Sequence, residues 1–127
     1  MASGDVTIES INAVTLSVGD MVRSVSFYRG LGFVLRYGGE DAAFTSFTVG
    51  RSYLNLQRSP RGRPSGDWGR VIFHVSDVDA LYDRVLELGY SPESPPENAP
   101  WGERFFHVRD PDGHELSFAI ALGSGVR

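Results

Sequence analysis

Cysteine is missing from this chain of 127 residues. Its absence excludes a disulfide framework, a thiolate-ligated metal and a thiol nucleophile together. Lysine is missing too, so all twelve basic residues are arginine, a bias read as codon usage in preference to function. No window approaches the roughly 18 consecutive apolar residues of a membrane span. The N-terminal MASGDVTIES has no basic stretch followed by an apolar one, so no secretory signal is expected and a soluble, cytoplasmic location is. A net charge of −4 argues against nucleic acid, which calls for a basic face. There is no glycine-rich phosphate loop after a strand, no G-x-S-x-G elbow and no pair of carboxylates at strand ends. Nucleophilic catalysis and nucleotide hydrolysis therefore lack visible support.

What the chain does have is a repeat. Residues 13–33, AVTLSVGDMVRSVSFYRGLGF, and 70–90, RVIFHVSDVDALYDRVLELGY, match without a gap. Val18 falls on Val75, Asp20 on Asp77, Leu31 on Leu88, Gly32 on Gly89 and Phe33 on Tyr90. A self-match this long implies two similar modules sharing one core, with a cleft between them for a small ligand. The length fits a single domain spanning 1–127, with modules over 11–57 and 68–121 and a linker over 58–67.

Local patterns fill in each module. Ala13–Val18 and Arg70–Val75 alternate and are β-branched, as strands are. Asp20 is placed to cap a helix over about Met21–Arg29 that Gly30 and Gly32 end. In the second copy Ser76 and Asp79 read as a capping box for a helix reaching Gly89. Strands are then expected at Phe33–Tyr37, Ala43–Val49 and Tyr53–Gln57. In the second half they are expected near Tyr90, at Arg104–Arg109 and at His114–Ala121. Asp110-Pro111-Asp112-Gly113 is a turn signal, with Pro second and Gly fourth. Arg58–Asp67 reads as a solvated linker and Ser91–Pro100, with four prolines, as a stiff loop. The tail Gly123–Arg127 reads as frayed. The fold class is α+β: paired βαβββ modules, a ferredoxin-like repeat with pseudo-twofold symmetry.

Paired modules carrying V-x-D-[MV], S-x-x-FYRGLGF and RDPDGHELSF resemble the vicinal oxygen chelate superfamily of glyoxalases, extradiol dioxygenases, fosfomycin-resistance enzymes and bleomycin-binding proteins. The resemblance spans about residues 11–121. It implies half-open cups around a cleft and a homodimer as the working unit. It also implies metal ligands at four positions, which here are Ala13, Asn55, Arg70 and Ser117. Alanine has no donor atom, arginine is permanently cationic, and asparagine and serine are weak ligands. No metal, no other cofactor and no catalytic residue is assigned, and the resemblance points to the metal-free bleomycin-resistance branch.

Strand alternation is a separate guide to the cup. Residues i, i+2 and i+4 share a face. One face is apolar: Val14, Leu16, Val18, Leu54, Leu56, Val71, Phe73, Val75, Leu116, Phe118 and Ile120. The opposite face carries Ala13, Thr15, Ser17, Tyr53, Asn55, Gln57, Arg70, Ile72, His74, Glu115, Ser117 and Ala119, and this mixed set suits a ligand cup. Arg70 can clamp an anionic group or pair internally with Glu115. His74 and Glu115 share the face as an acid–base pair, an atypical metal site or a satisfied polar pair. Trp101 can stack on a planar ligand or plug the cup or dimer seam. Phe47 and Phe106 are candidates for pocket and core alike. His107 and His114 flank the turn and read as surface residues. The function expected is metal-free binding of an aromatic or anionic natural product, such as an antibiotic. The alternative is a lyase, isomerase or dioxygenase of the superfamily with an atypical or absent metal site.

Overall fold

The computed structural model describes residues 6, 8–59 and 68–123. The first module runs β1 (Ala13–Val18), α1 (Met21–Leu31), β2 (Val34–Tyr37), β3 (Phe44–Val49) and β4 (Ser52–Arg58). The second runs β5 (Arg70–His74), α2 (Val78–Glu87), β6 (Glu97–Asn98), β7 (Glu103–Arg109) and β8 (Glu115–Ala121). Each module forms a four-stranded mixed sheet, ordered β1-β4-β3-β2 and β5-β8-β7-β6. The first and last strands of each module are parallel and the remaining pairs antiparallel. The fold is therefore α+β with two βαβββ modules, as the repeat implied.

The repeat also explains the caps. Asp20 and its counterpart Asp77 both sit in extended backbone and accept the backbone N–H three residues on, from Arg23 and Ala80. The expected Ser76–Asp79 box is thus corrected: Asp77 is the cap, because its carboxylate reaches the orphan N–H groups of the first turn. Gly32 ends α1 with a φ of 107°, a left-handed conformation that suits a residue without Cβ.

The apolar faces of both sheets meet in one core. Leu16, Val18, Leu54, Leu56, Phe73, Leu116 and Phe118 are buried, together with Met21, Val25, Phe27, Tyr28 and Leu31 of α1 and Val78 and Val85 of α2. Each such aliphatic or aromatic side chain contributes roughly 1.5–3 kcal/mol through burial. The repeat partners Phe33 and Tyr90 make reciprocal contacts across the modules. Phe33 meets Phe73 edge-on at 5.0 Å and lies 6.5 Å from Phe118, while Tyr90 meets Phe27 at 4.7 Å.

A polar lock joins the modules at the Asp110–Gly113 turn. The turn closes as expected, with Gly113 N–H donating to Asp110 C=O at 2.9 Å. Its carboxylates then reach into the first module. Asp112 accepts from the Gly19 N–H at 2.9 Å and from the Ser24 hydroxyl at 3.2 Å. Asp110 accepts from the Tyr28 hydroxyl at 2.6 Å and from the backbone N–H groups of Asp112 and His114. Burial raises the pKa of Asp110, and the Tyr28 bond pulls it partly back. Tyr28, wholly enclosed beside that carboxylate, is held well above the ordinary phenol range, first by burial.

His114 belongs to this lock, which corrects its reading as a surface residue. It is 2% exposed. Trp68 Nε1–H donates to its Nδ1 at 2.9 Å, leaving its Nε2–H to donate to Ser17 C=O at 2.7 Å. A second correction concerns the second module's outer strand, which is β6 inside the proline-rich segment and not a run near Tyr90. Two ladder positions, Glu97 with Phe105 and Asn98 with Arg104, suffice to pair it. Arg104 also holds Asn98 at 3.0 Å and Asp79 of α2 at 2.9 Å, which lowers the pKa of Asp79. Ser91–Pro100 is tied to β7 as well, through Glu93 N–H to His107 C=O and the Glu93–Arg109 ion pair. Most of the expected linker (60–67) and the last four residues of the expected frayed tail lie outside the described residues.

Candidate functional site

With one face of each sheet committed to the core, the other is left open. On the first sheet, parallel pairing sets Ala13 beside Tyr53 and Thr15 beside Asn55. The Asn55 amide donates to the Thr15 hydroxyl at 3.3 Å. The Arg36 guanidinium lies over the Tyr53 ring, 4.2 Å from its centroid, and donates to Ser46. This half of the site is a row of hydroxyls and amides with one cation held against an aromatic face.

On the second sheet the register sets Arg70 beside Glu115, Ile72 beside Ser117 and His74 beside Ala119. Across β8, Ser117 faces His107 and Ala119 faces Phe105. The small residues Ser117 and Ala119 make a floor, and longer side chains on β5 and β7 rise on either side. Two contacts bridge those walls. Arg70 Nη1 lies 3.5 Å from His107 Nε2, and His74 Nε2 lies 3.1 Å from Glu103 Oε2. Glu103 also accepts from the Trp101 indole N–H at 3.0 Å. The His74 bond, then the Trp101 bond, lowers the Glu103 pKa and keeps it ionised. Trp101, 71% exposed, stacks on Phe105 with centroids 6.0 Å apart, and Phe105 lies 5.1 Å from His107.

Arg70 is the hinge of the arrangement. Its Nη2 meets Glu115 Oε1 at 3.2 Å, yet the side chain stays 44% exposed. A single carboxylate contact does not exhaust a guanidinium with five N–H donors. Arg70, Ile72 and His74 line a cavity of about 490 Å³ with Ala13, Tyr53 and Trp68, between β1–β4 of one sheet and β5 of the other. That volume lies within the usual range for small-molecule sites, about 300–1,000 Å³.

The sequence-derived candidates separate accordingly. Tyr53, Arg70 and His74 line the cavity, Asn55 is on the first open face, and Trp101, Glu115 and Ser117 are on the second. Phe47 and Phe106 do not join them: both are buried in the core, Phe47 against Tyr28 and Phe33, and Phe106 against Tyr82 and Phe118. The partner of His74 is Glu103, not Glu115, because β8 places Ala119 beside His74. His107, read as a surface residue, is half-buried on the open face. Glu103, Phe105 and His107 were missed together. Alternation along β7 carried the signal, since Phe106 and Val108 are its apolar face and leave 103, 105 and 107 opposite.

The ligand positions that the resemblance implied do not fit a metal. Ala13 offers no donor, and Arg70 places a fixed positive charge where a cation would sit. Among the described residues, no three histidine, aspartate or glutamate side chains gather to replace them. No helix among them is long and apolar enough to cross a membrane.

Comparison with known proteins supplies an independent line. The model of the Glyoxalase/Bleomycin resistance protein/Dioxygenase superfamily matches residues 10–118. Metallothiol transferase FosB of Shouchella clausii is 33% identical over 120 residues, covering 86% of this chain and 78% of its own. A glyoxalase/bleomycin resistance protein/dioxygenase structure from Nocardioides superposes with a TM-score of 0.74 at 26% identity, over 96% of this chain and 89% of its own. TioX from Micromonospora sp. ML1 superposes with a TM-score of 0.72 at 28% identity, over 90% and 100%.

Proposed function

Since the chain belongs to the glyoxalase/bleomycin resistance protein/dioxygenase superfamily, we propose that its open sheet faces bind a planar, anionic small molecule without a metal. The observation that carries this is Arg70: a half-exposed guanidinium at the rim of the cavity, at a position where metal-binding members of the superfamily are expected to place a ligand. A cation there exchanges the Lewis acid for a hydrogen-bonding anchor. The ligand's carboxylate or similar group takes the guanidinium donors left over from Glu115. Its ring lies against Trp101 and Phe105, and Asn55, Ser117 and His74 orient polar substituents. A natural product or antibiotic of this chemistry is the expected cargo, held by sequestration. The working unit is a homodimer, in which a second copy covers the open faces and the unpaired sheet edges.

The test is a thermal-shift screen of planar aromatic carboxylates and phosphonates, followed by titration of the hits. A ligand at ~100 times its Kd adds about 2.7 kcal/mol. Arg70→Ala is expected to weaken a hit by about 10- to 150-fold, since charge-assisted bonds contribute roughly 1.5–3 kcal/mol. Arg70→Lys is expected to recover part of this, as it lacks the planar fork. Unchanged affinity in Arg70→Ala, with a large loss of stability, would make Arg70 a structural partner of Glu115 and overturn the assignment.

A further inference from the structure

We propose that His107 and Arg70 form a base–cation pair able to remove a proton from a carbon acid held on the open face of the second sheet. The proposal rests on that face being the binding site and adds an activity to it. The two residues meet diagonally over β8: register sets His107 of β7 beside Ser117 and Arg70 of β5 beside Glu115, two residues earlier on the same strand. Arg70 Nη1 lies 3.5 Å from His107 Nε2. A guanidinium can only donate, so Nε2 of the neutral ring must be the bare nitrogen and the proton must sit on Nδ1. Were Nε2 protonated, two donors would face each other. Among the described residues Nδ1 is buried and has no hydrogen-bond partner, so nothing they place on that side favours the opposite tautomer. Such unpaired buried groups are rare in folded proteins and call for an explanation.

The outcome is a lone pair on Nε2 beside a permanent positive charge, which is the arrangement that enolisation requires. The substrate's C–H bond breaks, its proton passes to Nε2, and the electron pair moves onto an oxygen that Arg70 stabilises. No electrons enter or leave. Return of the proton gives exchange or isomerisation, and departure of a group from the neighbouring atom gives elimination. His74 is not equivalent, because its Nε2 faces the Glu103 carboxylate at 3.1 Å. The donor facing Nε2 of His107 is instead the Arg70 guanidinium, which turns to the substrate oxygen and leaves the lone pair to the C–H proton. The flat wall of Phe105 and Trp101 beside His107 favours planar substrates.

A probe with these properties is 5-nitrobenzisoxazole. Loss of its C3 proton breaks the N–O bond and releases 2-cyano-4-nitrophenolate, whose negative oxygen Arg70 would hold. The full chain is expected to accelerate the reaction saturably. His107→Gln should lower the rate by about 100-fold or more, within the usual worth of a general base. Arg70→Ala should lower it by about tenfold or more, while the exposed Glu87→Gln on α2 should leave it unchanged. Calorimetric titration with the phenolate product reads binding separately. Product binding with no rate above that of His107→Gln would overturn the proposal and leave the binding site standing. Neither binding nor turnover would overturn both. A long-range ¹H–¹⁵N spectrum gives a readout without mutation: the Nδ1–H tautomer is expected for His107, and the Nε2–H tautomer would overturn the proposal.

Discussion

Replacing Tyr28 with phenylalanine isolates the contact that locks the second module's turn onto the first module's helix. The hydroxyl donates to Asp110 at 2.6 Å, and both residues are buried. Phenylalanine keeps the ring and its edge-on packing against Phe27 and Phe33, so the volume change is small. What disappears is a hydrogen bond to a charged acceptor, roughly 1.5–3 kcal/mol. For a chain of this length the unfolding entropy is about 0.27 kcal/mol per kelvin, so the melting temperature at pH 7 falls by about 6–11 °C. The loss depends on pH with a definite sign. Burial raises the folded-state pKa of Asp110 above its unfolded value. A raised pKa contributes stability that is present below the unfolded value and lost as pH rises through the folded one. Removing the hydroxyl removes a bond that favoured the carboxylate, so the folded pKa climbs further and the loss at high pH deepens. Below the unfolded pKa the acid is neutral in both states, and the deficit shrinks to that of a neutral bond, roughly 0.5–1.5 kcal/mol. Urea unfolding followed by circular dichroism, from about pH 3 to pH 7, measures both ends of the window. A deficit that did not grow with pH, or stayed below ~0.5 kcal/mol at pH 7, would refute the reasoning.

Further outcomes follow from named contacts. Asp20→Ala removes the cap of α1 and should lower stability by about 1 kcal/mol in chemical denaturation. Gly38→Ala should be markedly worse, by about 2 kcal/mol or more, because its Cβ would lie 2.3 Å from the Phe44 carbonyl at a backbone φ of 82°. His114→Ala breaks the bonds to Trp68 and to the Ser17 carbonyl and should cost about 2 kcal/mol, with a shift in tryptophan fluorescence as Trp68 loses its partner. Chelator should leave the melting temperature of the purified protein unchanged, since Ala13 and Arg70 do not fit a metal whose binding would be coupled to folding. One tightly bound transition metal per chain, found by elemental analysis, would refute that expectation.

Much of the fold was legible because the repeat encodes local chemistry twice. The match of residues 13–33 to 70–90 announced two modules, Asp20 was placed as the cap of α1, and alternation sorted β1, β4, β5 and β8 into core and open faces. The cap of α2 was a local choice between Ser76 and its neighbour Asp77, which the match of Asp77 to Asp20 could have settled; the other misreadings depend on tertiary partners. Nothing local marks Glu97–Asn98 as a strand among prolines, since only the free edge of β7 pairs it. The burial of His114 depends on Trp68 and on Ser17 in a distant strand. Glu103 replaced Glu115 as the partner of His74 because ladder register decides which side chains meet across a sheet. Phe106 and His107 were the exceptions, since the alternation of β7 was there to be read.

The central claim is that this cup binds its ligand through Arg70 in place of a metal. Its most direct test is the affinity of one planar anionic hit, measured by calorimetry in chelator and again with added zinc, nickel or manganese. Equal affinity in every condition for the native chain, with the loss expected for Arg70→Ala, is the predicted result. Binding that appears only when a divalent ion is supplied, and that survives Arg70→Ala, would contradict it.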